Sequence, residues 1–196
     1  ETKYLYSVFL KKDFLFYLED MIIGRKLNIR RDTDIFIQYG LPQIISLYKH
    51  FDLKNEPLSC HIPPGLATSA SSIIPGESVF LSSLQKALDE NPQIPVSLCH
   101  GDLLPSNICV AKGKIYFLDW DRSFRGSIAH DMMRLLFKHP GKTAPLARAF
   151  FDILETEFNC QKPAINHQLT AYTAMRIVHT PRRANEFLGF WRRNLA

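Results

Sequence analysis

Apolar side chains recur at three- and four-residue spacing along Tyr4, Leu5, Val8, Phe9, Leu15, Leu18 and Ile22, which predicts an amphipathic helix over 4–23. Asp34 is placed to cap a second helix running to about Phe51, with Pro42 kinking or breaking it. Between 55 and 78, Pro57, Pro63, Pro64, Pro75 and the serines from Ser69 to Ser72 predict a long loop or insertion. A short helix over about 78–90 precedes Pro92 and Pro95. The texture then changes. Val96 to Cys99 reads as an extended run into His100, and Ile108–Ala111 and Ile115–Leu118 are β-prone around Lys112-Gly113-Lys114, the pattern of a tight hairpin. Further helices are predicted over 127–138, stopped by Gly141, and over 143–158, 163–179 and 181–195, the last opened by Pro181. The result is an α+β, mainly α chain with one small hairpin in its middle.

Composition narrows the class. With 196 residues, 46% hydrophobic and 22% charged, the chain suits one sizeable core and excludes a disordered tail, a collagen-like fibre and a coiled coil. Charged pairs such as Lys11–Lys12, Glu19–Asp20 and Arg25–Lys26 interrupt every long apolar run, so no membrane span or signal peptide is predicted. Twenty-four basic against 19 acidic residues leave a net charge of +5, a weak bias toward anionic partners. Cys60, Cys99, Cys109 and Cys160 form no CxxC pair, which argues against a zinc knuckle or redox dithiol and for a reduced, cytoplasmic protein.

The chemistry gathers between 99 and 131. Asp102 and Asn107 lie five apart in a loop, and Asp119 follows the hairpin twelve residues after Asn107. A hairpin returns its second strand beside its first, so Asp119 comes back next to Asn107. A carboxylate and an amide oxygen there can hold a hard cation such as Mg²⁺, leaving room for phosphate oxygens. Asp102, one loop turn away, can take the proton of an attacking hydroxyl. Metal on the phosphates and a carboxylate at the nucleophile are the requirements of phosphoryl transfer. Any one of these residues alone would be read as an ordinary turn former.

The sequence His100-Gly101-Asp102-x₄-Asn107, with Asp119-x-Asp121 and Gly126-x₄-Asp131, resembles the aminoglycoside phosphotransferase and choline kinase family, cousins of the protein kinases. Gly101 stands where protein kinases carry Arg, and Trp120 follows the metal-site aspartate, which points to the small-molecule branch. The resemblance implies the C-terminal lobe of a protein-kinase-like fold, with the small hairpin carrying the metal site. It implies Asp102 as catalytic base, Asn107 and Asp119 as Mg²⁺ and nucleotide ligands, and Asp121 as a second-metal or supporting residue. His100 is expected to hold the loop, and Asp131 to cap a helix and bond the loop backbone. Mg²⁺ and ATP are the implied cofactors. The implied acceptor is a small-molecule hydroxyl of a sugar or glycoconjugate, choline-like or aminoglycoside-like compound. Tyr172, Phe190 and Trp191 are candidates for a cage around a choline-like cation, while the basic C-terminal region favours a sugar or phosphosugar.

On this reading 1–196 is one kinase-like C-terminal lobe: helices over 1–55, the loop or insertion over 56–78, the catalytic loop and metal hairpin over 96–131, and helices over 132–196. No Gly-rich phosphate loop or strand lysine is found upstream of His100, so an N-terminal nucleotide lobe is expected in the full-length protein, from which this Met-less chain would be a part. The rival expectation is a catalytically inactive, kinase-like interaction module. Two lesser patterns are set aside. Gly141-Lys142-Thr143 lacks the first glycine of a Walker A loop, since position 136 is Leu. Arg182–Arg183 and Arg192–Arg193 flank Phe187, Phe190 and Trp191, but helical spacing turns the aromatics to the core, so nucleic acid is not expected as a partner.

Overall fold

The structure, a computed structural model, describes residues 8–11, 14–17, 23–139 and 143–195. Its strands are β1 (Val8–Lys11), β2 (Phe14–Tyr17), β3 (Arg25–Lys26), β4 (Lys54–Pro57), β5 (Gln93–Cys99), β6 (Ile108–Ala111), β7 (Lys114–Phe117) and β8 (Phe124–Ser127). The helices are α1 (Thr33–Ile35), α2 (Leu41–His50), α3 (Leu66–Ile73), α4 (Ser78–Glu90), α5 (Ile128–Lys138), α6 (Ala144–Phe158), α7 (Lys162–His179) and α8 (Ala184–Leu195). The strands form three small antiparallel sheets, ordered β1-β2, β3-β6-β7 and β4-β5-β8. Among the described residues no helix is long and apolar enough to cross a membrane.

Several expectations need correction. The helix expected over 4–23 falls partly outside the described residues. Within them, 8–11 and 14–17 pair as strands from Val8↔Tyr17 to Lys11↔Phe14, because Val8, Phe9, Phe14, Phe16 and Tyr17 are β-branched or aromatic and suit a ladder as well as a helix. The cap of the next helix is Asp32 rather than Asp34. Its side chain makes no capping bond; it is held by Arg25 at 2.9 Å and by the Asn28 amide at 2.8 Å. A π-helical turn, Phe36–Gly40, joins α1 to α2, and Pro42 follows it as the second residue of α2, so the irregularity expected at the proline is this widened turn. The stretch 56–78 is not a loop throughout. It holds the 3₁₀ turn Leu58–His61 and α3, which buries Leu66 and Ala70 one turn apart. The stop expected at Gly141 lies outside the described residues.

Helix α7 is the axis of the helical body, packed by α3, α4, α5, α6 and α8. A helix covered on so many sides must bury polar positions, and its buried threonines find partners. Thr170 and Thr173 return their hydroxyls to Asn166 O and Leu169 O, and Thr170 also accepts the Trp191 indole N–H at 2.9 Å. Phe187, Phe190 and Trp191 are buried. Phe190 packs edge-on to Phe137, and Trp191 to Phe80. They are core residues and form no cage with Tyr172.

Candidate active site

Two sheets meet at the loop that follows β5. Ser97, buried in β5, donates toward Tyr48 O and Phe51 O, both at 2.6 Å, and so fixes the end of α2 against the strand. β8 pairs with β5 as far as Cys99↔Phe124, which leaves the loop 100–107 facing the turn 118–123. Ser127 closes β8 and caps α5, its Oγ accepting from the Ala129 amide at 3.2 Å. The cap is therefore Ser127, and Asp131 serves the loop instead.

Asp131 is fully buried one turn into α5. Its Oδ2 accepts from the His100 amide at 2.6 Å and from the Tyr48 hydroxyl at 2.9 Å, and its Oδ1 from the Gly101 amide at 2.8 Å. Burial pushes the Tyr48 hydroxyl well above the usual phenol range, with the Asp131 charge adding to it, so it remains a donor. His100 spans the two arms of the site. Its Nε2 is 2.8 Å from Leu118 O, to which it donates, while its Nδ1 accepts from the Asp102 amide at 3.3 Å, so the ring is tied to both arms. Trp120 lies against the imidazole, ring centres 4.5 Å apart, and donates to Phe117 O at 3.0 Å.

Gly101 has φ +81°, and a Cβ there would sit 2.0 Å from Arg122 O. The close crossing of loop and turn accounts for glycine at the position where protein kinases carry arginine.

The Asn107 amide group donates to Asp102 O at 2.9 Å and to Asp102 Oδ2 at 3.1 Å. Its carbonyl oxygen accepts from the Ser106 hydroxyl at 3.2 Å. Asn107's own backbone carbonyl accepts from the Leu118 amide at 2.8 Å, at the base of the β6–β7 ladder. The hairpin turns tightly at Lys112 (φ 48°) and Gly113 (φ 72°), and so returns Asp119 beside Asn107, as its spacing predicted. Asp119 itself takes φ 66°. Its carboxyl is held above the usual carboxylate range by Asp121, through a shared hydrogen bond and then like charge, with Asp102 adding a smaller push. Asp119 and Asp121 thus share a hydrogen bond, with Asp102 and its partner Asn107 close by. Among the described residues no group of three or more His, Cys, Asp or Glu forms a ready metal cluster. An oxygen-only set of Asn107, Asp119 and Asp121, with like charges pressed together, is nevertheless the donor chemistry a hard dication relieves.

Sequence reasoning missed two residues. Arg134 of α5 is ion-paired with Asp102 Oδ1. Its signal was its place one turn beyond Asp131 on the same helix. Tyr48, 83 residues from Asp131, left no local signal.

Residues 73–162 match the model of the phosphotransferase enzyme family. No curated protein matches the chain in sequence. Among solved structures, the chain is similar to a thermostable mutant of aminoglycoside phosphotransferase APH(4)-Ia in its apo form, at 11% identity and TM-score 0.54, covering 96% of this chain and 75% of that one. A ternary complex of the same protein with AMP-PNP and hygromycin B matches at 12% identity and TM-score 0.54, covering 96% and 74%. The choline kinase LicA from Streptococcus pneumoniae matches at 14% identity and TM-score 0.46, covering 98% and 73%. The resemblance read from the loop motifs is thus met: residues 73–162 carry the pattern of the phosphotransferase enzyme family, on a chain with the protein-kinase-like fold of small-molecule kinases.

Proposed function

We propose that the protein transfers the γ-phosphoryl group of ATP to a hydroxyl of a small molecule in a Mg²⁺-dependent reaction. The observation that carries this reading is the joined pair Asp102–Asn107, with Asp119 returned beside it by the hairpin. Asp102 orients the acceptor hydroxyl and receives its proton as the new P–O bond forms. Asn107 and Asp119 would hold Mg²⁺ with the nucleotide phosphates, and Asp121, against Asp119, would complete the oxygen set. The ion supplies charge neutralisation on the phosphates. His100 and Asp131 keep the two arms in register. The ternary complex of the aminoglycoside phosphotransferase, holding AMP-PNP and hygromycin B, supports a nucleotide and a small-molecule acceptor on this fold. On this proposal 1–196 works as a C-terminal lobe, with the nucleotide's other contacts supplied by an N-terminal lobe of the full-length protein. Four unpaired cysteines fit a reducing, cytoplasmic setting.

The test is calorimetric titration of AMP-PNP into the longest natural form of the protein, with and without Mg²⁺, for wild type and Asp119→Ala. Mg²⁺-dependent binding that disappears in the variant is expected. Binding indifferent to both, or none at any Mg²⁺ concentration, would overturn the proposal in favour of a non-catalytic module.

A further inference from the structure

Beside Asp102 lies a group of cations whose charge the phosphoryl-transfer reading does not use. His130 and Arg134 are one turn apart on α5, and Tyr172 and Arg176 are one turn apart on α7. The helices pack against each other, with the His130 and Tyr172 ring centres 6.0 Å apart. One turn earlier Ser127 Oγ donates to Gln168 Oε1 at 3.3 Å, so the two helices run in the same direction and the next turn carries Arg134 beside Arg176. The proximity shows electrostatically: both arginines depress His130, though less than its burial does, and Arg176 is lowered first by burial, then by Arg134 and Arg183.

The carboxylates nearby are already engaged. Asp102 is taken by Arg134, Asp131 by its three donors, and Glu186 by Arg183 at 2.7 Å. Arg176 has the Phe187 ring, 5.8 Å from its guanidinium carbon, and among the described residues no carboxylate partner. The Nε of Arg134 and the Nε of Arg176 are both buried without a hydrogen-bond partner. Buried donors of this kind cost free energy unless a ligand or water satisfies them. A cavity of about 390 Å³, lined in part by His61, Phe124, His130 and Tyr172, opens at His130 and Tyr172, one turn before the two arginines on their helices. Phe124 also borders the catalytic loop, since a Cβ at Gly101 would lie 3.3 Å from its ring.

We infer that the acceptor is an anionic alcohol, a hydroxyl compound bearing a phosphate or carboxylate, whose acid group is held by Arg134 and Arg176 while its hydroxyl lies at Asp102. The inference rests on the proposed phosphotransferase function and names its substrate class. Guanidinium groups suit such an anion because their N–H groups pair with its oxygens in two parallel bonds. When the acid group takes over Arg134, Asp102 Oδ1 is released from its ion pair and can receive the hydroxyl proton. The acceptor oxygen then bonds to the γ-phosphorus, the bond from that phosphorus to the β-phosphate oxygen breaks, and the nucleoside diphosphate leaves with the electron pair. A cationic acceptor would meet two guanidinium groups instead of a counter-ion.

The experiment is calorimetric titration with glucose 6-phosphate, gluconate, glucose and choline, on wild type, Arg176→Gln and Arg176→Lys, each checked for folding by circular dichroism. Binding of glucose 6-phosphate or gluconate without binding of glucose or choline is expected, and the two anions separate phosphate from carboxylate recognition. Arg176→Gln should weaken the bound anion by about tenfold or more, as loss of a charge-assisted bond does, and Arg176→Lys by less. Binding of choline or glucose in preference, or anion binding unchanged in Arg176→Gln, overturns the inference. AMP-PNP with Mg²⁺ is titrated in parallel. An Arg176→Gln loss shared equally by the nucleotide assigns the arginine to the donor and also overturns it, whereas failure of the nucleotide alone to bind wild type refutes the phosphotransferase reading and not the anion site.

Discussion

Removing the acceptor at Asp131 should unfasten the catalytic loop in graded steps. The carboxylate receives two backbone amides and one phenol, and hydrogen bonds to a buried charge contribute about 1.5–3 kcal/mol each. Tyr48→Phe deletes one donor and leaves both amides served, at an expected cost of about 1–2 kcal/mol. Asp131→Asn keeps the shape, but its NH₂ must face either the Gly101 amide or the His100 amide and Tyr48. One bond becomes a donor–donor conflict, for about 2–4 kcal/mol. Asp131→Ala strands all three donors and should cost about 3–5 kcal/mol, the range for breaking a buried charged contact. Equilibrium urea unfolding, followed by tryptophan fluorescence, measures the series, and Trp120 against His100 reports on the loop itself. The order Tyr48→Phe, Asp131→Asn, Asp131→Ala is the content of the argument. If Asp131→Asn costs no more than Tyr48→Phe, the two amides are not held as described.

Gly101→Ala combines a left-handed backbone with a Cβ at 2.0 Å from a carbonyl oxygen, so loop and turn must separate. Phosphoryl transfer should fall at least tenfold while the helical circular dichroism signal persists, and unchanged activity would refute the crossing. Asp102→Asn should lower turnover by about 10²–10⁴, the usual contribution of a positioned proton acceptor, with nucleotide affinity retained, as steady-state kinetics and calorimetry would show. Arg25 beside the buried Asp32 lowers that carboxyl to about 2, so the pair stabilises the fold above the unfolded carboxylate pKa near 3.9. That contribution, about 2 kcal/mol at most, is lost as pH falls from there through the folded value. Arg25→Ala should therefore narrow the stability difference between pH 6 and pH 3 in urea unfolding. Ser127→Ala removes the α5 cap and should cost about 1 kcal/mol by the same assay.

The helical body was readable because α4, α6 and α7 announce themselves by apolar period, by Pro near their starts or by Asn just past their ends. The hairpin was readable because Lys112-Gly113 supplies the two positive φ values a tight turn needs. α3 was not, because prolines and serines mask the single stripe Leu66–Ala70–Ile74 that packs inward, and tertiary burial outweighs its weak local preference. β4 and β8 escaped for a different reason: Lys54, Asn55, Arg125 and Gly126 have little strand preference and are held by pairing with β5. In the site, the expected residues share one short stretch of sequence, which made them legible. Tyr48 acts across the fold and only its contact identifies it, while Arg134 had no more than its place one turn beyond Asp131.

The hairpin has a consequence for how the site can vary. A Cβ at Gly113 would meet nothing within 4 Å, and the tip stands clear of the body. Asn107 and Asp119 are joined at the opposite end, where the Leu118 amide meets the Asn107 carbonyl. Of the eleven residues between them, those nearest the base pack inward and serve the site, and the free length is the Lys112–Gly113 tip. A longer turn leaves the base of the ladder where it is. A peptide inserted between Lys112 and Gly113 should therefore ride outward without disturbing the carboxylates, which makes that turn the natural attachment point for a reporter. Chains that share this site should differ in this gap more freely than in the five-residue step from Asp102 to Asn107.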